Sequence, residues 1–231
     1  RLVGSEMCIR DSISRGLHSP KPTTLKILST LETLGFVWRD TDSKRYFLGT
    51  HFIPYAQKAL ATFNIVNVAR PFLEDLRDKT EETINLGIER NNKIILVEKL
   101  ESPRSIKLQS TIGGSMNLYS SAMGKAILAT FSSKSLDSYF KSTKMVPMTP
   151  HTITTPSKLQ KDLNSIKELG VSVDNEENEE EVFCLGASIV RDGQLYGAFS
   201  ISAPKYRMPQ ERRSAFVRML LDTKHAIESA I

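Results

Sequence analysis

With 231 residues, 25% charged and 40% hydrophobic, the chain has room for one large domain or two small ones and a globular composition. No apolar run approaches the ~18 residues of a membrane span, so a transmembrane helix is excluded and no membrane partner is expected. The formal net charge is +5. Six basic residues (Arg15, Lys21, Lys26, Arg39, Lys44, Arg45) stand against three acids (Glu32, Asp40, Asp42) between Ile13 and Ile53, which points to an anionic partner near the N-terminus.

The opening stretch RLVGSEMCIRDS has no apolar run of the kind a secretory signal carries, and no amphipathic period starts in it. SPKPTTLKILSTLETLGF reads as a helix, with Ser19 as N-cap, Pro20 in the first helical position and Gly35 as the stop. Leu25, Ile27, Leu28, Leu31 and Leu34 are expected to form its apolar stripe. Lys21, Pro22, Thr23 and Lys26 lie near its start, where a helix entering a major groove presents groups to phosphates and base edges. FVWRDTDSKRYFLG is a hairpin, Phe36–Arg39 and Arg45–Leu48, with Lys44 and Arg45 at its tip. Helix plus basic-tipped hairpin is the second half of a winged helix-turn-helix, or a helix-hairpin that merely packs on a larger domain.

Residues 51–80 read as mostly helical, interrupted by Pro54 and Pro71: a linker helix over 51–65, then the first helix of a second domain. ETINLGIER and IILVEKLES are strands joined at Asn91-Asn92-Lys93, and SIKLQST is a third. A glycine-containing loop runs into the helix SAMGKAILATF, with Ser120 or Ser121 near the cap. Two more helices, SLDSYFKS and SKLQKDLNSIKELG, precede the strands VSVD, VFCLGASIV and QLYGAFSISAP. A last helix carries Phe216, Met219, Leu220 and Ile227 on one face. Antiparallel hairpins with helices around them make this part an α+β sensor-like domain.

Catalytic constellations are not assembled. SAMGKA fails as a phosphate loop, because Tyr119 stands where its first glycine belongs and Ala126 replaces the Ser/Thr. His18, His51, His151 and His225 have no metal-ligand spacing, so no metal or cofactor is expected. Cys184 lies in an apolar strand, as a buried inert thiol does. The acidic run Asp174–Glu181 is most simply a solvated loop. Ser200 and Ser202 share a strand face and are either convergent in a cavity or on the surface. The chain is therefore not expected to be an enzyme.

Several segments in one order carry a resemblance: PKPTTLKILSTLETLGFVWRD…KRYFLG, RPFLEDLRDKTEETINLGI, LYSSAMGKAILA and VDNEENEEEVFCLGASIVRDGQLYGAFSISAP. Together, from about Ile13 to Ile231, they resemble an IclR-type bacterial transcriptional regulator. The branch governing catabolism of sugar acids of the 2-keto-3-deoxygluconate type looks nearest. The resemblance implies an α+β chain in parts: a truncated winged helix-turn-helix (13–50), a linker helix (51–65) and a GAF-like effector-binding domain (66–231), its antiparallel sheet flanked by helices. It implies a cytoplasmic homodimer or homotetramer on palindromic double-stranded operator DNA, controlled by a small organic acid. DNA would meet Lys21, Pro22, Thr23, Lys26, Lys44 and Arg45. The effector would meet Ala122 and Met123 at a helix start, polar Asp174, Cys184, Ser200 and Ser202, and apolar Leu108, Met116 and Val182. Relatives that bind glyoxylate or pyruvate have Gly-Ala where Ala122-Met123 stands, so their ligand preference does not transfer. Backbone N–H groups at that helix start suit a carboxylate, and an ionised Asp174 belongs at the hydroxyl end. Two other functions compete: a DNA-independent small-molecule sensor, and a GAF-type redox enzyme using Cys184.

Against the family pattern SISRGLHSP supplies only the tail of a second helix and a turn. GSEMCIRD back-translates to a string resembling a transposase adapter from DNA library preparation, so residues 1–12 are expected to be read-through. The chain as written is then expected to bind operator poorly, with Leu25, Leu28 and Leu31 partly uncovered.

Overall fold

A computed structural model describes residues 8–56, 64–106, 108 and 110–231. The chain divides into two compact units, residues 1–63 and 64–231. Of the segment read as foreign, residues 1–7 lie outside the described residues. Cys8–Ile9 (β1) is a short strand, and a helix starts at Arg10 rather than after Ser12: Arg10–Gly16 (α1). Asp11 sits in its first turn, where a carboxylate suits the helix dipole, and pairs with Lys21 at 2.7 Å.

Helix α2 spans Lys21–Thr33. Its N-cap is Pro20, with no side-chain cap, and not Ser19. Ser19 is instead held by Ser14, whose hydroxyl donates to the Ser19 carbonyl at 2.6 Å. The helix ends as its glycine demands: Gly35 takes φ +71°, its N–H reaches Glu32 and that of Phe36 reaches Leu31, a Schellman motif. The inward face runs through Thr24 and Leu28 to Leu31, whereas Leu25, Ile27 and Leu34 are exposed, so the expected five-residue stripe is narrower than its spacing suggested. Strands Val37–Arg39 (β2) and Arg45–Leu48 (β3) form the hairpin, and β1 adds to the other edge of β3. Buried Ile13, Leu28, Val37 and Tyr46 form the core of this unit.

Residues 52–56 are helical; 57–63, the middle of the expected linker, lie outside the described residues. The second unit opens with Asn64–Thr80 (α3), which passes through Pro71 without interruption. Buried Ala69, Leu73 and Leu76 anchor that helix on both sides of the proline, and tertiary packing outweighs the ~3 kcal/mol a helical proline costs. Thr83–Arg90 (β4) and Lys93–Leu100 (β5) meet at Asn91-Asn92, both at positive φ as a type I′ turn requires.

SIKLQST is not the third strand. Of its residues Lys107 and Gln109 lie outside the described ones, and the others are irregular. The edge of β5 is taken by Gly113 and Gly114, whose backbones bond Leu96, and then by Ser115–Asn117 (β6). Then follow Ala122–Leu128 (α4), Ser133–Ser142 (α5), Pro156–Leu169 (α6), Ser172–Asn175 (β7), Val182–Arg191 (β8), Gln194–Pro204 (β9) and Gln210–Ala230 (α7). Asp192 and Gly193, again both at positive φ, join β8 to β9. The sheet is antiparallel in the order β6-β5-β4-β9-β8-β7, so this unit is α+β. Helix α4 packs on β8, β9 and β7, and α7 on β8 and α3. Among the described residues no helix is long and apolar enough to cross a membrane.

Candidate functional site

Strand pleat decides what faces α4. In β8 and β9, Cys184, Gly186, Ser200 and Ser202 alternate with buried Leu185, Ala187, Phe199 and Ile201, which point the other way. Cross-strand register then aligns Asp174 with Cys184, Cys184 with Ser202, and Ser200 with Asn85. Small side chains let α4 lie close over this floor. A Cβ on Gly186 would stand 2.8 Å from the Ala122 carbonyl carbon, and the Ser172 hydroxyl donates to the Ala122 carbonyl at 2.6 Å. Ser121 caps α4, its oxygen accepting from the Gly124 N–H at 3.2 Å.

Between sheet, α4 and the loop before β6 lies a cavity of about 270 Å³. All nine side chains that resemblance assigned to an effector line it: Leu108, Met116, Ala122, Met123, Asp174, Val182, Cys184, Ser200 and Ser202. Ser200 and Ser202 are buried there, their hydroxyl oxygens 3.2 Å apart, and are not surface serines. Sequence reasoning passed over Asn85, Ser110, Thr111, Ser121, Asn178 and Glu179, which also line it. Asn85 had left a signal: in TINLGI, polar or small Thr83, Asn85 and Gly87 alternate with apolar neighbours.

The acidic run is a solvated loop only in its second half, where Glu179, Glu180 and Glu181 are exposed. Asp174, Glu176 and Glu177 are buried. Asp174 Oδ1 accepts from the backbone N–H of Glu177 at 2.7 Å and of Asn178 at 3.3 Å, folding the run back over the cavity. The Glu177 carboxylate meets Lys125 Nζ at 2.5 Å, and Asp162 lies 2.8 Å from the same nitrogen. Lys125 is only 1% exposed, so carboxylates must enclose it. Glu176 on the outer side pairs with Lys205. The first half of the run is acidic because a buried lysine and the turn itself need acceptors.

Burial dominates the electrostatics. It raises Asp174 to about 6 against the opposing pull of the two backbone N–H bonds and Lys125. It raises Glu177 to about 7, although Lys125 opposes it, and Glu177 Oε2 is buried without a hydrogen-bond partner. Burial first, and then the Asp174 charge, pushes the Cys184 thiol upward, opposite to what a redox cysteine needs. Cys184 lines the cavity as a neutral wall. Among the described residues no cluster of His, Cys, Asp or Glu could hold a metal ion.

In the N-terminal unit Lys21, Pro22, Thr23 and Lys26 on α2 and Lys44 and Arg45 at the hairpin are all exposed. Lys44 has φ +58° and its ammonium donates to the Thr41 carbonyl, which closes the tip. Lys21 is shared with Asp11, so part of its charge is neutralised.

The family model for the bacterial transcriptional regulator IclR C-terminal region matches residues 57–229. The Escherichia coli K12 repressor YiaJ is 34% identical over 215 residues, covering 91% of this chain and 76% of that protein. The regulator KdgR of the same strain is 30% identical over 209 residues, covering 90% and 80%. The crystal structure of Thermotoga maritima IclR superimposes with a TM-score of 0.81 at 32% identity, covering 99% of this chain and 92% of that one. The two curated relatives are transcriptional regulators.

Proposed function

The chain belongs to the IclR family of bacterial transcriptional regulators, and from that membership we propose that its N-terminal unit is a winged helix-turn-helix on operator DNA, controlled by a small organic acid in the cavity of its C-terminal unit. One observation carries the reading: nine side chains from six separate stretches, residues 108 to 202, converge on one cavity. The acid is proposed to place its carboxylate beside Ala122 and Met123 and its other oxygens toward Ser200 and Ser202. The acid class is that of a sugar-derived keto acid. Asp174 is proposed to shape this space by holding the acidic run in place. In the N-terminal unit, α2 would be the recognition helix. Lys26 and Thr23 stand exposed near its start, and Lys44 and Arg45 at the wing. The regulator would act as a homodimer, or a homotetramer of two such dimers, on palindromic sites.

The test uses the protein produced from its chromosomal gene to select duplexes from a random pool. Enrichment of a palindrome is expected. Lys26→Ala should lower affinity for all selected duplexes and reduce the salt slope by about 1, as loss of one phosphate contact does. A pool that returns without enrichment overturns the DNA-binding reading and leaves a sensor that works without DNA.

A further inference from the structure

The cavity floor continues past the serines onto a neighbouring strand. Asn85 on β4 lies opposite Ser200 in register and is 5% exposed. Its Nδ2 donates to Ser202 Oγ at 3.2 Å, and its Oδ1 accepts from Ser110 Oγ at 3.0 Å. With the Ser200–Ser202 pair this makes a continuous polar chain, Ser110–Asn85–Ser202–Ser200, along one side of the cavity. Resting on the organic-acid reading above, we propose that Asn85 and Ser110 are specificity-determining residues that read hydroxyl groups on the effector, making it a polyhydroxylated acid and not a bare keto acid.

The argument is one of donors and acceptors. Ser110 spends its O–H on Asn85, so what it still offers a ligand is lone pairs. Asn85 spends one N–H on Ser202 and keeps a second. Neighbouring positions on this wall therefore present an acceptor and a donor. A carboxylate or ketone oxygen only accepts and satisfies half of that pattern. A hydroxyl both donates and accepts and satisfies all of it. Asn85, Ser200 and Ser202 are each at least nine-tenths buried, so a ligand that leaves them unanswered forfeits hydrogen bonds that water can no longer supply. The cavity volume agrees: about 270 Å³ is far more than the ~10–15 Å³ that one water occupies on the same measure, and holds a six-carbon chain. Ser110 belongs to the loop before β6, so its bond to Asn85 also seats that loop against the floor.

The full chain is titrated calorimetrically with two probes of equal length and identical keto-acid head, 2-keto-3-deoxygluconate and 2-ketohexanoate, which differ only in hydroxyls. The hydroxylated acid should bind at least about tenfold tighter, the sum of two or more ordinary hydrogen bonds. Ser110→Ala should weaken the hydroxylated acid by about fivefold and leave 2-ketohexanoate unchanged, and Ser110→Thr should restore most of the loss. Equal binding of the two acids overturns the proposal alone. So does an equal loss of both in Ser110→Ala, which would mark the serine as a support of the loop. If neither acid binds a chain whose melting shows it folded, the organic-acid reading falls and the proposal with it.

Discussion

The two units solve the same packing problem with very different means. Among the described residues, the N-terminal unit closes over four buried hydrophobic side chains, while Leu17, Leu25, Ile27, Leu34, Trp38 and Leu48 remain exposed. The C-terminal unit buries a cluster that runs from Ile94 on β5 through α4, α5 and α6 to Ala198 on β9. Surface-to-volume scaling makes the first marginal and the second secure. That surplus is what lets the C-terminal unit bury a lysine, five acids and a polar cavity floor, each of which costs free energy. The N-terminal unit keeps its cations exposed, as a surface for a polyanion requires.

The contrast can be broken most severely at Lys125. Lys125→Met leaves Glu177 and Asp162 facing each other without a cation, which should cost about 3 kcal/mol and lower the melting temperature of the C-terminal unit by several degrees. The single tryptophan, Trp38, reports on the N-terminal unit alone, so its fluorescence transition should stay where it was. A joint shift of both transitions would show that the units do not melt separately.

Next in size is Leu28→Ala, the reciprocal experiment. It should cost about 2–3 kcal/mol, a large share of what so small a core supplies. The Trp38 transition should move to lower temperature or vanish, with the C-terminal unit unchanged by calorimetry. An unmoved Trp38 transition would mean that Leu28 does not hold this core.

The smallest effect sharpens the contrast through pH. The burial that raises Asp174 to about 6 makes the folded state hold a proton that the unfolded chain, near 3.8, has already released. The Asp174 contribution to folded stability must then fall as pH rises from about 4 to about 6 and level off above that. The change is on the order of 2–3 kcal/mol. Asp174→Asn keeps an acceptor for the Glu177 and Asn178 N–H groups and should flatten that part of the profile. Glu177, raised from 4.5 to about 7, adds a slope of the same sign between those values, so the Asp174→Asn profile becomes shallower and keeps the Glu177 part. Chemical denaturation followed from pH 4 to 8 in both proteins reads the difference; identical profiles would show that Asp174 is not the group being titrated.

Much of this was legible in the chain because it rests on short-range physics. Asn91-Asn92 and Asp192-Gly193 announce their hairpins through residues that tolerate positive φ, and the Schellman stop at Gly35 follows from the same cause. Helix periodicity located α5, α6 and α7. The nine cavity residues came from resemblance rather than from periodicity; pattern alone left Ser200 and Ser202 as surface serines or cavity hydroxyls. Where local rules failed, distant partners decided. Pro71 continues a helix because buried residues on either side hold it, and SIKLQST gives up a strand because Gly113–Asn117 occupies the edge.

By itself the sequence determined most of the elements, their turns and the two-part order of the chain, since each follows from backbone preference and apolar period within a few residues. Only the tertiary structure decided that Asp174, Glu176 and Glu177 of the acidic run turn inward. Its reason is Lys125, some fifty residues earlier and buried, whose charge a low-dielectric interior tolerates only beside carboxylates. The same holds for Asn85 and Ser110, polar residues that local pattern treats as ordinary strand and loop positions. Folding places them edge to edge with Ser202 in one wall, and hydrogen-bonding capacity acquires chemical meaning only when its partners are fixed in space.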